Sequence, residues 1–123
     1  MSFDLLFETR NGYVAGTVVG RIDTPEELLR KVRAMVHKAL DSNVTRFLMD
    51  ERNLDFRLEP HDIIQVANHL EKHDVQILGG RSACLCDPRR RARYRACETV
   101  YRNRSLSCQV FEKEEAAVAW LMR

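Results

Sequence analysis

Two hydrophobic periods alternate along the chain, and they lay out its elements. Phe3, Leu5 and Phe7 alternate with polar or smaller neighbours, the period-two signature of a strand. Asn11-Gly12 then predicts a type I′ hairpin turn. Tyr13 to Val19 reads as the second strand, with Gly16 placed for a close approach or a bulge. A helical period takes over at Thr24, an N-cap followed by Pro25 and by Glu27 in capping-box position. Leu28, Leu29, Val32, Met35, Val36, Ala39 and Leu40 form one apolar stripe; Arg30, Lys31, Arg33 and Lys38 fall mostly outside it. Asp41-Ser42-Asn43 ends this helix.

Thr45 to Met49 reads as a third strand, and Asp50 to Glu59 as a polar loop interrupted by Leu54, Phe56 and Leu58. Pro60 opens a second helix that turns Ile63, Ile64, Val66, Ala67 and Leu70 inward. Val75 to Leu78 reads equally as helix end, loop or strand, and Gly79-Gly80 breaks the chain. Ser82 to Cys86 is a strand of small residues suited to a crowded sheet. Asp87-Pro88 caps a third helix running to about Arg104. Leu106 to Phe111 is the last strand and Glu112 to Met122 the last helix. The order β-β-α-β-α-β-α-β-α predicts an α/β fold: a mixed, mostly parallel sheet with an N-terminal hairpin and flanking helices.

Composition narrows the class. At 123 residues, 1–123 is expected to be a single domain. The chain is 45% hydrophobic and 31% charged, which reads as globular. A net charge of +2 gives no global pull toward nucleic acid, which is not an expected partner. No apolar run approaches a membrane span and no secretory signal is visible, so the expected compartment is the cytoplasm. Cys84, Cys86, Cys97 and Cys108 form no CxxC or zinc-finger spacing; free thiols and no cofactor are expected. A symmetric homodimer is the default assembly.

Three features carry a likeness to a known family. They are the element order, the strand Phe47-Leu48-Met49-Asp50-Glu51-Arg52 ending in Asp-x-Arg, and the closing Val110-Phe111-Glu112 with its Ala116-Ala117-Val118-Ala119-Trp120-Leu121 helix. Together they resemble the SpoIIAA-like proteins, small bacterial relatives of the STAS (anti-sigma-factor antagonist) domain, also likened to CRAL-TRIO lipid-transfer domains. The resemblance implies a STAS-like fold and a protein-interaction or regulatory role. It also implies a phosphorylatable Ser or Thr at the start of the helix after the third core strand. From Arg46 through Arg81 this chain has no Ser, Thr or Tyr, so a hydroxyl phospho-switch there is chemically impossible.

Candidate chemistry follows from position. Ligands of parallel sheets sit beyond the carboxyl ends of the strands, where Asp23, Asp50, Glu51 and Asp87 fall; capping explains them as well. His69 and His73 share a helix face but lack a third metal ligand, so no metal site is expected. His61, in the first turn of the second helix, can act as a base or simply face solvent. Cys84 and Cys86 share a strand face and read as buried thiols rather than nucleophiles. Asp87 to Arg104 holds seven arginines and two acidic residues, a local net charge of +5. That patch suits an anion or an acidic partner.

No catalytic triad, P-loop or Rossmann fingerprint is present, so no enzyme is expected. The leading reading is a non-enzymatic regulatory module with an unknown protein partner. Its alternative is a carrier or sensor of a small apolar or lipid-like ligand, with a pocket near Leu54, Phe56 and Leu58. The candidate binding residues are Asp50, Arg52, Leu54, Phe56, Leu58, His61, Arg91 and Arg95.

Overall fold

The N-terminal hairpin forms from β1 (Phe3–Thr9) and β2 (Val14–Ile22), paired antiparallel from Phe3 opposite Gly20 to Thr9 opposite Val14. Here the computed structural model, which describes residues 2–72, 80–104 and 107–123, corrects the expected turn. Gly12 alone takes a left-handed φ of 91°, whereas a type I′ turn needs a positive φ at Asn11 too. Gly16 makes a close approach without a bulge. A Cβ there would come within 2.7 Å of the Met49 sulfur and 3.1 Å of the Phe7 ring.

Helix α1 (Pro25–Ser42) starts as its sequence predicts. The Thr24 hydroxyl accepts from the Glu27 amide and the Glu27 carboxylate accepts from the Thr24 amide, a complete capping box. It ends at Asn43, whose φ of 55° is the left-handed conformation asparagine tolerates best after glycine.

The remaining strands are β3 (Arg46–Asp50), β4 (Leu54–Phe56), β5 (Arg81–Leu85) and β6 (Cys108–Phe111). The order across the sheet is β1-β2-β3-β5-β6, all parallel except the hairpin. The segment read as a loop contains β4, which pairs parallel with the far end of β2, Gly20 to Ile22. One long strand therefore serves two partners: its first half pairs with β3 and its last residues with β4. Leu54, Phe56 and Leu58 are fully buried as a consequence, not presented from a loop.

Helices α1, α2 (Pro60–Lys72) and α3 (Arg91–Arg102) cover one face; α4 (Glu114–Leu121) covers the other. A single 3₁₀ turn, Pro88–Arg90, precedes α3 where one longer helix was expected. Strand alternation divides the core. Phe47, Met49 and Cys84 face the three helices, while Leu48, Ala83 and Leu85 pack under Ala117 and Leu121 of α4. Full burial of such a side chain stabilises by about 1.5–3 kcal/mol, so both faces matter. Arg81 closes the α4 side, donating to the Trp120 carbonyl at 2.9 Å with its guanidinium over the indole ring. His73, Val75 to Leu78, Gly79 and Leu106 lie outside the described residues.

The capping box makes a direct prediction. Thr24→Ala should lower unfolding free energy by about 1 kcal/mol in urea titration, because one helix-end donor loses its partner. An unchanged midpoint would mean the box contributes nothing.

Candidate functional site

Two regions stand out: the charged rim at the carboxyl ends of the strands, and the space between α1 and α3 beneath it.

On the rim, charges meet in short ion pairs. Asp50, the last residue of β3, accepts from Arg52 at 2.7 and 2.9 Å, and Arg52 reaches Glu114 of α4 at 3.9 Å. The hydrogen bond from Arg52 is the largest influence on the Asp50 carboxyl and holds it below the usual range. Asp87 caps the 3₁₀ turn through the Arg89 amide and is also bridged by the Arg89 guanidinium at 2.6 Å. Those hydrogen bonds bring its pKa down to about 2. Between β4 and α3 lies a surface groove lined by Arg57, Arg89, Arg90 and Arg93 around Asp55. Arg57 binds Asp55 at 2.7 Å, Arg90 approaches it at 3.8 Å, and Arg93 binds Glu59 at 3.2 Å.

The eight candidate residues do not converge on one spot. Asp50 and Arg52 pair with each other. Leu54, Phe56 and Leu58 are core. His61 is exposed and lies 3.4 Å from Asp62. Arg91 pairs with Glu112 on the rim. Arg95 lies 3.8 Å from Glu98, a buried carboxylate that accepts from the Val110 amide at 2.7 Å and so ties β6 to α3. His69, one member of the expected histidine pair, is near Arg33 on α1 at 3.5 Å. Among the described residues no three His, Cys, Asp or Glu side chains are placed to hold a metal ion.

Beneath the rim is a buried polar cluster, one member of which, Lys31, the sequence pattern put on the wrong face. Glu51 is 1% exposed. Its carboxylate binds the Lys31 ammonium at 2.6 Å and accepts from the Tyr94 hydroxyl at 3.0 Å. Lys31, read as lying outside the apolar stripe of α1, in fact points inward between Leu28 and Met35. Burial is the largest single influence and opposes its charge, but the attraction and hydrogen bond of the Glu51 carboxylate, with smaller neighbouring contributions, leave its pKa raised. Burial, reinforced by Glu51, pushes the Tyr94 hydroxyl up, so it remains a neutral donor.

A cavity of about 100 Å³ opens beside this cluster, between α1 and α3 and above β3, β5 and β6. Its lining is mostly apolar, with Phe56 and Met49 among it, and includes the thiols of Cys84, Cys97 and Cys108. Tyr101 is also in the lining; its hydroxyl is buried and has no hydrogen-bond partner. An unmet buried hydroxyl costs about 1–3 kcal/mol. Sequence periodicity marks the residues: Tyr94, Cys97 and Tyr101 recur at helical spacing, and Phe47, Met49 and Glu51 share strand parity.

Comparison with solved structures places the architecture. An anti-sigma factor antagonist from Mycobacterium paratuberculosis superposes with a TM-score of 0.61 at 14% identity, covering 99% of this chain and 96% of that one. An uncharacterised protein of the DUF3478 family with a SpoIIAA-like fold, from Shewanella loihica PV-4, gives 0.57 at 18% identity over 98% of this chain and 93% of that one. The anti-sigma factor antagonist SpoIIAA in its unphosphorylated form gives 0.54 at 16% identity over 97% and 98%. No family model and no curated relative matches the chain by sequence. The chain has the SpoIIAA-like fold, and its likeness to that group is borne out at the level of architecture.

The thiols give a prediction. Burial raises Cys86 to about 11 and Cys108 to about 12, and carries Cys84 and Cys97 upward as well. Thiolate is the reactive form, so at pH 8 iodoacetamide should label the folded protein slowly and all four sites after unfolding. Rapid labelling of Cys86 in the folded protein, read by mass spectrometry, would contradict this.

Proposed function

We propose that this chain is a non-enzymatic cytoplasmic regulatory module that docks an acidic segment of a protein partner in the groove between β4 and α3. The observation that carries the reading is the groove itself: Arg57, Arg89, Arg90 and Arg93 line it together, Arg57 and Arg90 reaching Asp55 while Arg89 pairs with Asp87 and Arg93 with Glu59. Arginine forks suit bidentate binding of carboxylates. Arg89 and Arg57 are exposed, so an incoming acidic chain can reach them. The fold supports the regulatory reading, since two of the similar structures are named anti-sigma factor antagonists. Control by phosphorylation at the start of α2 is not part of the proposal, because that turn is Pro60-His61-Asp62. No helix among the described residues is long and apolar enough to cross a membrane.

A second reading, a carrier or sensor of a small ligand, has the cavity between α1 and α3 in its favour. Its site differs from the expected one: Phe56 borders the cavity, while Leu54 and Leu58 are packed in the core. The volume also narrows the ligand. An engineered cavity of about 150 Å³ takes benzene. A cavity of about 100 Å³ is smaller than that, which favours a compact molecule.

The leading reading is tested with a fluorescent polyglutamate peptide at low salt. Anisotropy should show binding that weakens about tenfold in the Arg57→Glu/Arg89→Glu variant. Arg123→Glu, at the opposite end of the sheet, should leave it nearly unchanged. Absent binding, or equal loss in both variants, would overturn the groove as the docking site.

A further inference from the structure

We propose that the cavity between α1 and α3 binds a small neutral aromatic molecule carrying one hydrogen-bonding group, which pairs with the Tyr101 hydroxyl. The inference rests on the small-ligand reading and is independent of the arginine groove.

Three observations lead to this ligand class. Size comes first: at about 100 Å³ the cavity is smaller than one of about 150 Å³ that takes benzene, so a single compact ring is its upper limit. The walls then set the polarity. They are mainly apolar, with Phe47, Met49 and Val110 from the sheet and Val32 and Met35 from α1. Such walls favour a ring over a sugar or an ion. The polar groups decide the rest. Lys31 and Glu51 neutralise each other at 2.6 Å, so neither is free to pair with a charged ligand. Tyr94 donates to Glu51 and is likewise engaged. Among the described residues that line this space, Tyr101 is the one whose buried hydroxyl has no partner.

The hydroxyl of Tyr101 can both donate and accept. A phenolic, hydroxylated or carbonyl-bearing ring satisfies it, whereas a hydrocarbon leaves it unmet. Burial keeps Tyr101 protonated, so it retains both roles. The thiols of Cys84, Cys97 and Cys108 line the same space as protonated, polarisable surface, which suits contact with a ring face. No bond is made or broken: the site binds and holds.

The competing occupant is water. Even a mainly apolar space of this size can hold a water where a polar group such as Tyr101 offers it a partner. The two differ in what they exclude, since a water-filled site has no preference among aromatic solutes.

The test uses phenol and benzene as probes, with saturation-transfer NMR on the folded chain. Phenol should bind about 3- to 10-fold more tightly than benzene, the range of one net hydrogen bond. Tyr101→Phe should erase that preference while leaving benzene binding in place. Cys108→Leu, which fills the cavity from the half-buried edge strand, should abolish binding of both. If benzene binds as well as phenol, the cavity takes ligands but the polar class is wrong. If Tyr101→Phe keeps the phenol preference, the hydroxyl is not its partner. If Cys108→Leu leaves binding unchanged, the site lies elsewhere. If neither probe binds, the small-ligand reading falls with the proposal.

Discussion

Glu51 holds a carboxylate almost wholly out of water between an ammonium from α1 and a hydroxyl from α3. Its backbone is fixed as well: the Glu51 amide donates to the Leu85 carbonyl at the end of β5, and its carbonyl accepts from the Leu54 amide that opens β4. One residue thus joins the ends of β3 and β5, the start of β4, and two helices. A buried charge is tolerated only when it is paired and its remaining hydrogen-bonding sites are met. Removing any partner leaves an uncompensated group in the core, so the positions of α1 and α3 are mutually constrained. The space they leave between them is the cavity.

This constraint has a pH sense. Lys31's folded pKa lies above its ordinary value of 10.5. A basic group raised on folding contributes stability that is fully present below the unfolded value and lost as pH climbs through the folded one. The cluster is therefore intact at neutral pH. The rim behaves differently. Asp50 and Asp87 have folded values below their ordinary ones, so what they contribute is present above those values and lost as pH falls through the lowered ones. The interior and the rim are thus sensitive at opposite ends of the pH scale.

Much of the fold was legible in the pattern of the chain. The α1 capping box, the Asp87 cap, the parity of Cys84 and Cys86 against Leu85, and the alternation of strands and helices all rest on local chemistry, and local chemistry survives folding. What the sequence reading missed depends on distant partners. Strand β4 is three residues long and becomes a strand because the end of β2 offers it a free edge. Lys31 read as a surface charge because residue type outweighed its place between Leu28 and Met35; only the arrival of Glu51 makes that place tenable. The candidate residues scattered for a similar reason. Arg91 and Arg95 each meet a carboxylate from another part of the fold or the next turn, whereas the groove collects Arg57, Arg89, Arg90 and Arg93.

The central claim is that the buried Lys31–Glu51 pair holds the helices over the sheet, and a double-mutant cycle in urea tests it most directly. Glu51→Gln should destabilise by about 3–5 kcal/mol, since it strands a buried ammonium. Adding Lys31→Met should recover most of that loss, giving strong coupling between the two sites. Near-wild-type stability in Glu51→Gln, or losses that simply add in the double variant, would contradict the account.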